Sequence, residues 1–162
     1  FSVSSVLSVV QSSLDSQGLI MPTINWSEIN WLAVIVAGIA AFMLGGLWYT
    51  ALFGKAWQTA HGFSAETIKQ AQAAMSPVKF FSTMLACYLV VALGLAILCQ
   101  WTHTNTLVGG AWLGGLVGVL IVTPVVLTNH LPSMVKTPGF LIDAAFAILF
   151  CNVMGIIIAV WP

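Results

Sequence analysis

The sequence predicts an all-α integral membrane protein in which four transmembrane helices form an up-down bundle behind an N-terminal amphipathic helix. Of its 162 residues, 60% are hydrophobic and only 5% are charged. Soluble domains carry about 25% charged residues, so a soluble fold of this size could not cover its surface. The apolar content also excludes intrinsic disorder. Four Lys residues and no Arg cannot neutralise a row of phosphates, which excludes nucleic acid as a partner.

Four stretches are long and apolar enough to cross a bilayer, which takes about 20 mostly apolar residues. The predicted spans are 29–53, 80–101, 107–127 and 140–161. None shows the two-residue alternation of a barrel strand. A helix satisfies every backbone polar group inside lipid, so residues 22–162 are predicted to form one four-helix transmembrane domain.

Residues 1–21 form a predicted N-terminal extension of different character. Apolar residues recur there at steps of three and four, which is the period of a helix; they are Val3, Val6, Leu7, Val10 and Leu14. Serines fill the other side, so the segment is too polar to span a membrane. We expect an amphipathic helix that lies on the membrane surface or binds a neighbouring subunit. A frayed tail is the alternative.

All four lysines fall in the two loops at 54–79 and 128–139, which join the first span to the second and the third to the fourth. Basic residues favour the inner side of a membrane. The sequence therefore predicts that both termini lie on the outer side of a bacterial or mitochondrial inner membrane.

Within the longer loop, Ser64 is a suitable helix N-cap and Glu66 would follow in the first turn, which predicts a short helix on the inner surface.

Tryptophans are expected to anchor the spans, since their rings favour the headgroup level. Trp31 and Trp48 are about 25 Å apart along a helix, which would place them near opposite interfaces. Trp112 lies inside its span and is either such an anchor or a helix-packing residue.

Three of the spans carry stripes of small residues at four-residue steps, the pattern that lets membrane helices approach closely. The predicted packing residues are Ala37, Ala41, Gly45, Gly110, Gly114, Gly118 and Gly155. Packing within one bundle is the favoured interpretation. The alternative is that the glycine run of the third span faces another subunit.

Asp143 is the one acidic group within a predicted span, and such groups are functional candidates. Asn129, His130 and Lys136 could join it in a polar cluster at the inner end of the bundle. We favour the alternative that Asp143 lies in the first helical turn near water, where losing its charge would cost less than about 1 kcal/mol. For Asn152 and Gln100, hydrogen bonds between helices are expected.

No catalytic, cofactor-binding or metal-ligating set is expected. His61, His103 and His130 do not share a metal-ligand spacing. The three cysteines lie within spans and are interpreted as packing groups. Pro124, inside the third span, should bend that helix because it removes a backbone hydrogen bond.

Three short motifs resemble a known family. They are NWLAV at 30–34, LGGLWY at 44–49 and LFGKAW at 52–57. Together with Gly62-Phe63, Thr128-Asn129 and the terminal Trp161, they resemble the small, mostly bacterial membrane proteins of domain of unknown function 1761. The chain departs from that pattern at Ala51, where members often have Pro, and in the fourth span, where Asp143 and Ala147 stand in place of Asn and His. The resemblance implies four spans and no established activity.

Little intramembrane polarity, the small-residue stripes and the amphipathic extension together predict a non-enzymatic membrane subunit with a structural or accessory role in a larger complex. Its expected partners are the lipid bilayer and other membrane subunits or further copies of the chain, and no cofactor is expected. The alternative is a small-solute transporter or channel that acts as an oligomer. An enzyme is disfavoured because no acid/base or metal set is evident.

Overall fold

A computed structural model describes residues 2–16 and 23–161, and this part of the chain is helical with short connections and no strand. The helices are α1 Val3–Ser16, α2 Trp31–Leu47, α3 Gly54–Ala60, α4 Ala65–Ala74, α5 Pro77–Trp101, α6 Leu107–Val117, α7 Thr123–His130 and α8 Thr137–Val160. Two π-helical turns, Trp48–Leu52 and Gly118–Val122, follow α2 and α6 without a break.

Four helical stretches are long and apolar enough to cross a membrane: Trp31–Leu52, Pro77–Trp101, Leu107–His130 and Thr137–Val160. They are called the first to fourth spans below. The predicted all-helical fold with four membrane-length helices is confirmed. Its span boundaries were imprecise, because the second and fourth spans each begin three residues earlier than predicted and the third continues to His130. The composition and length of these helices are consistent with an integral membrane protein.

Side-chain caps fix where several helices begin. The side chains of Asn30, Ser76 and Thr106 each accept a hydrogen bond from the backbone N–H three residues further on, as N-cap residues do. The predicted loop helix is α4, in which Ser64 accepts a hydrogen bond from the N–H of Thr67 at 3.1 Å and Glu66 occupies the first turn. Helix α3 was not predicted.

The fourth span lies against each of the other three, and its contact with the third span depends on glycine. An added Cβ at Gly114 would overlap the carbonyl oxygen of Cys151, and one at Gly110 would overlap that of Gly155. At Gly118 an added Cβ would lie 2.8 Å from the Cα of Ile148. The two backbones therefore touch along this line.

Every residue of the predicted small-residue stripes is buried between helices of this chain; the seven are Ala37, Ala41, Gly45, Gly110, Gly114, Gly118 and Gly155. The glycine run of the third span faces the fourth span, so it is not available to a second subunit.

Pro124 explains the π-helical turn in the third span. Proline has no N–H, and its ring clashes with the carbonyl four residues earlier. The helix widens just before it, and both the N–H and the Oγ1 of Thr123 bond to the carbonyl of Gly118, the latter at 2.8 Å. The proline therefore changes the helix type at this point of the span.

Trp48 differs from the anchor prediction, whereas the exposure of Trp112 is consistent with its anchor alternative. Trp48 packs inside the bundle, with ring centroids 4.6 Å from Phe53 and 5.9 Å from Phe146. Trp112 is 69% exposed, so it does not pack against another helix of this chain. Cys99 and Cys151 are buried and unpaired, as the packing interpretation expects, whereas Cys87 is exposed and does not fit that interpretation.

Candidate polar centre around Asp143

Asp143 lies in the second turn of α8, which begins at Thr137. The favoured expectation of a first-turn carboxylate near water is therefore wrong. The helix starts earlier than predicted, which carries Asp143 further into the bundle, and only 13% of its side chain is exposed. A carboxylate at such a position requires polar partners from the protein.

Two neutral donors bond to one carboxylate oxygen. The hydroxyl of Tyr49 donates to Oδ1 of Asp143 at 2.8 Å, and the indole Nε1–H of Trp57 donates to the same atom at 2.8 Å. Tyr49 lies in the π-helical turn that ends the first span, and Trp57 lies in α3. These two bonds fix the orientation of the carboxylate.

The imidazole rings of two histidines lie against the second carboxylate oxygen, Oδ2. Nε2 of His130 lies 2.8 Å from Oδ2 of Asp143, and Nε2 of His61 lies 3.2 Å from the same atom. His130 ends α7 and His61 follows α3, so residues far apart in the sequence converge here. The side chains of His61 and His130 are only 11% and 14% exposed.

The second nitrogen of each ring faces a backbone carbonyl. Nδ1 of His61 lies 3.0 Å from the carbonyl oxygen of Trp57, and Nδ1 of His130 lies 2.7 Å from that of Val126. A carbonyl only accepts hydrogen bonds, so Nδ1 carries a proton in both rings. Each Nε2 is thereby directed at Asp143 in a fixed ring orientation.

Aromatic rings surround this polar centre, whose members are Tyr49, Trp57, His61, His130 and Asp143. The ring of His61 lies 4.4 Å from that of Trp57 and 5.6 Å from that of Phe63, measured between centroids. His130 packs edge-on against Phe140 at 6.1 Å, and Tyr49 packs against Phe146 at 5.0 Å. This apolar wall limits water, which strengthens the hydrogen bonds that it encloses.

The centre joins four segments of the chain: the end of the first span, α3, the end of the third span and the start of the fourth. The docking of α3 is close, since the N–H of Lys136 donates to the carbonyl of Ala60 at 3.2 Å. A Cβ added at Gly139 would lie 3.1 Å from both the Cβ of Ala60 and the Cε1 of His61. Glycine is therefore required where α8 passes under α3.

Of the four residues in the predicted polar cluster, the structure brings His130 and Asp143 together. The side chains of Asn129 and Lys136 are exposed, and neither makes a hydrogen bond or ion pair with Asp143 in the described part of the chain. Lys136 contributes through its backbone alone.

Sequence reasoning missed three members of the centre: Tyr49, Trp57 and His61. The sequence did contain one indication of them: Trp57 and His61 are four residues apart and would share one face of a helix. That indication was not used because α3 itself was not predicted.

The remaining polar residues of the spans lie elsewhere. Gln100 pairs with the backbone of Asn25, which donates to its Oε1 at 3.0 Å and accepts from its Nε2 at 2.9 Å. Asn152 donates to the carbonyl of Ile148 in its own helix at 2.9 Å. The expected bonds between helices are therefore wrong for both residues, because Asn25 lies outside any helix and the amide of Asn152 bonds within its own helix.

Comparison with known proteins gives one match. A family described as "Protein of unknown function (DUF1761)" matches residues 32–159. This range includes every residue of the polar centre and all of the four spans except Trp31 and Val160, and it excludes α1. No curated protein and no solved structure matches the chain.

Proposed function

Since the chain belongs to the DUF1761 family, whose function is unknown, we propose a role from its own geometry. The protein is a non-enzymatic integral membrane subunit with a structural or accessory role in a larger membrane complex. One observation carries this proposal: α1 presents apolar side chains that no described part of the bundle covers.

Helix α1 is 14 residues long, and its apolar face is open. Val6 is 51% exposed, Leu7 is 62% exposed and Val10 is 48% exposed. Lipid covers the apolar outer faces of the spans, but α1 precedes the transmembrane domain and is too polar to cross the bilayer. Its apolar face is therefore expected to contact a membrane surface or another subunit.

The bonding of Asp143 supports a non-enzymatic role. Four side chains of the same chain already lie within contact distance of its two carboxylate oxygens, two at Oδ1 and two at Oδ2. A general base needs access to a substrate proton, whereas this carboxylate is occupied in holding segments together. We interpret the centre as a clamp that sets the arrangement of the spans.

Removing the apolar face of α1 should weaken the assembly and leave the bundle folded. The test variant combines Val6→Ser, Leu7→Ser and Val10→Ser. On native gels of mildly solubilised membranes, we expect the band of the complex to decrease and a smaller species to appear, with the same helicity by circular dichroism.

The matched control alters the other side of the same helix and combines Ser5→Ala, Ser8→Ala and Ser12→Ala. We expect this triple variant to migrate like the wild type. If the apolar-face variant also migrates like the wild type, α1 does not bind a partner subunit.

We also propose that both termini lie on the outer side of a bacterial or mitochondrial inner membrane, because three lysines lie in the connections on the other side and Lys79 lies in the first turn of the second span at that side. In a cysteine-free background, an impermeant thiol reagent should label Lys69→Cys and Lys136→Cys from the inner side. It should label Asp15→Cys from the outer side only. Labelling of all three positions from one side would contradict the four-span topology.

Small-solute transport by an oligomer is the second candidate, and the two π-helical turns favour it. Such turns are frequent at functional sites. One contains Tyr49, and the other lies in the span that ends at His130. This candidate requires a continuous polar path across the bilayer. In the described spans, Gln100 and Asn152 bond instead to the backbone of Asn25 and Ile148, apart from Asp143.

A further inference from the structure

We propose that His61, His130 and Asp143 bind one divalent transition-metal ion, for which Zn²⁺ is the probe. The inference is independent of the subunit role, since a metal clamp would serve a transporter or a subunit equally.

The three side chains already have the spacing of a ligand set. The two Nε2 atoms and a carboxylate oxygen all lie within 4.8 Å of one another. Bonds of about 2.0–2.1 Å in tetrahedral geometry place ligand atoms about 3.3 Å apart. The observed separations of 2.8 Å and 3.2 Å between Oδ2 and the two nitrogens are close to that value, so small side-chain movements would suffice.

The hydrogen bonds behind the three ligands are those of a metal site. Histidine ligands usually donate their other N–H to a carbonyl or a carboxylate, which fixes the tautomer and the ring orientation. Here both Nδ1 atoms face backbone carbonyls, so both Nε2 atoms point inward. Tyr49 and Trp57 hold Oδ1 of Asp143, and an ion between the two Nε2 atoms would bond to Oδ2, which faces both of them.

The donor chemistry selects the class of metal. Imidazole suits zinc, iron, copper and nickel, whereas magnesium and calcium favour oxygen ligands. As ligands, the two imidazoles would be neutral and the carboxylate would supply one negative charge, a donor set that suits a divalent transition-metal ion. Three protein ligands also leave one tetrahedral position for water or a fourth ligand.

The experiment uses the full chain in detergent, stripped with a chelator and titrated with Zn²⁺ by calorimetry at fixed pH. We expect one equivalent per chain for the wild type. The variants His61→Asn and His130→Asn should each lose at least 100-fold in affinity. The control is His103→Asn, which changes an exposed histidine outside the centre at a positive φ of 52° that Asn tolerates. It should bind like the wild type.

A milder variant tests the site without removing a ligand. Tyr49→Phe deletes only the hydroxyl that orients the carboxylate, and it should weaken zinc binding by about 10- to 100-fold. Circular dichroism of the metal-free proteins checks folding, and the wild-type titration remains decisive if a histidine variant does not fold. No binding by the wild type, or equal binding by the wild type and all four variants, would overturn the proposal.

Discussion

Replacing Asp143 with Ala is expected to lower the free energy of unfolding by about 3–5 kcal/mol, the range for removing one partner of a buried charge-assisted cluster. The change leaves Tyr49 and Trp57 without this acceptor and removes the carboxylate that both histidines face. It also removes the side-chain hydrogen bond between Trp57 of α3 and the fourth span. Denaturing titration in mixed micelles, followed by circular dichroism, measures the loss.

Two further substitutions, a milder change at Asp143 and a control elsewhere, help to interpret that loss of stability. Asp143→Asn retains an oxygen that accepts from Tyr49 and Trp57, so a smaller loss is expected. Glu66→Ala removes an exposed acid and should change stability by less than about 0.5 kcal/mol. A loss below about 1 kcal/mol for Asp143→Ala, the size expected for an exposed charge at a helix end, would contradict the buried centre.

Truncating Lys136 distinguishes the observed cluster from the one predicted from sequence. In the predicted cluster, removing Lys136 would restore part of the stability lost with Asp143, since its orphaned charge would be gone. In the structure the Lys136 side chain is exposed. We therefore expect no rescue when Lys136→Ala is added to Asp143→Ala.

Adding one methyl group at Gly114 should destabilise the protein by about 2–3 kcal/mol, at the upper end of overpacking effects. The methyl group would overlap the carbonyl of Cys151 and lie 2.9 Å from the Cα of Asn152. Both are backbone atoms, so the third and fourth spans must separate to admit it. Thermal unfolding of the purified Gly114→Ala variant measures the effect.

Two other helical glycines provide matched controls. Nothing lies within 4 Å of a Cβ added at Gly46 or Gly94. Since Ala is favoured over Gly inside a helix by about 0.5–1 kcal/mol, Gly46→Ala and Gly94→Ala should be neutral or stabilising. If Gly114→Ala behaves like these two, the third and fourth spans are not in backbone contact.

The fold was predictable because apolar length dominates the sequence of a membrane protein. The error that mattered most was in the start of the fourth span, where the same residues can interrupt a helix or begin one. The fourth span was predicted to begin at residue 140, after Pro138 and Gly139, yet proline is well suited to the first turn of a helix. The helix therefore starts at Thr137, and this difference of three residues reversed the favoured interpretation of Asp143.

The candidate site was predictable only in part, because most of it depends on tertiary contacts. His130 and Asp143 are 13 residues apart and flank one short loop, so their proximity follows from two consecutive spans. Tyr49 and His61 reach Asp143 across separations of more than 80 residues. Neither a period nor a spacing in the sequence encodes such contacts, which arise when α3 folds back over the start of α8.

Purification from native membranes under mild conditions, followed by mass spectrometry of the intact assembly, tests the proposed subunit role most directly. We expect the chain in a stoichiometric complex with at least one unrelated membrane protein, and we expect that partner to be lost from the variant with the altered apolar face of α1. Recovery of the chain alone, or only as an oligomer of identical copies, would contradict the role of an accessory subunit.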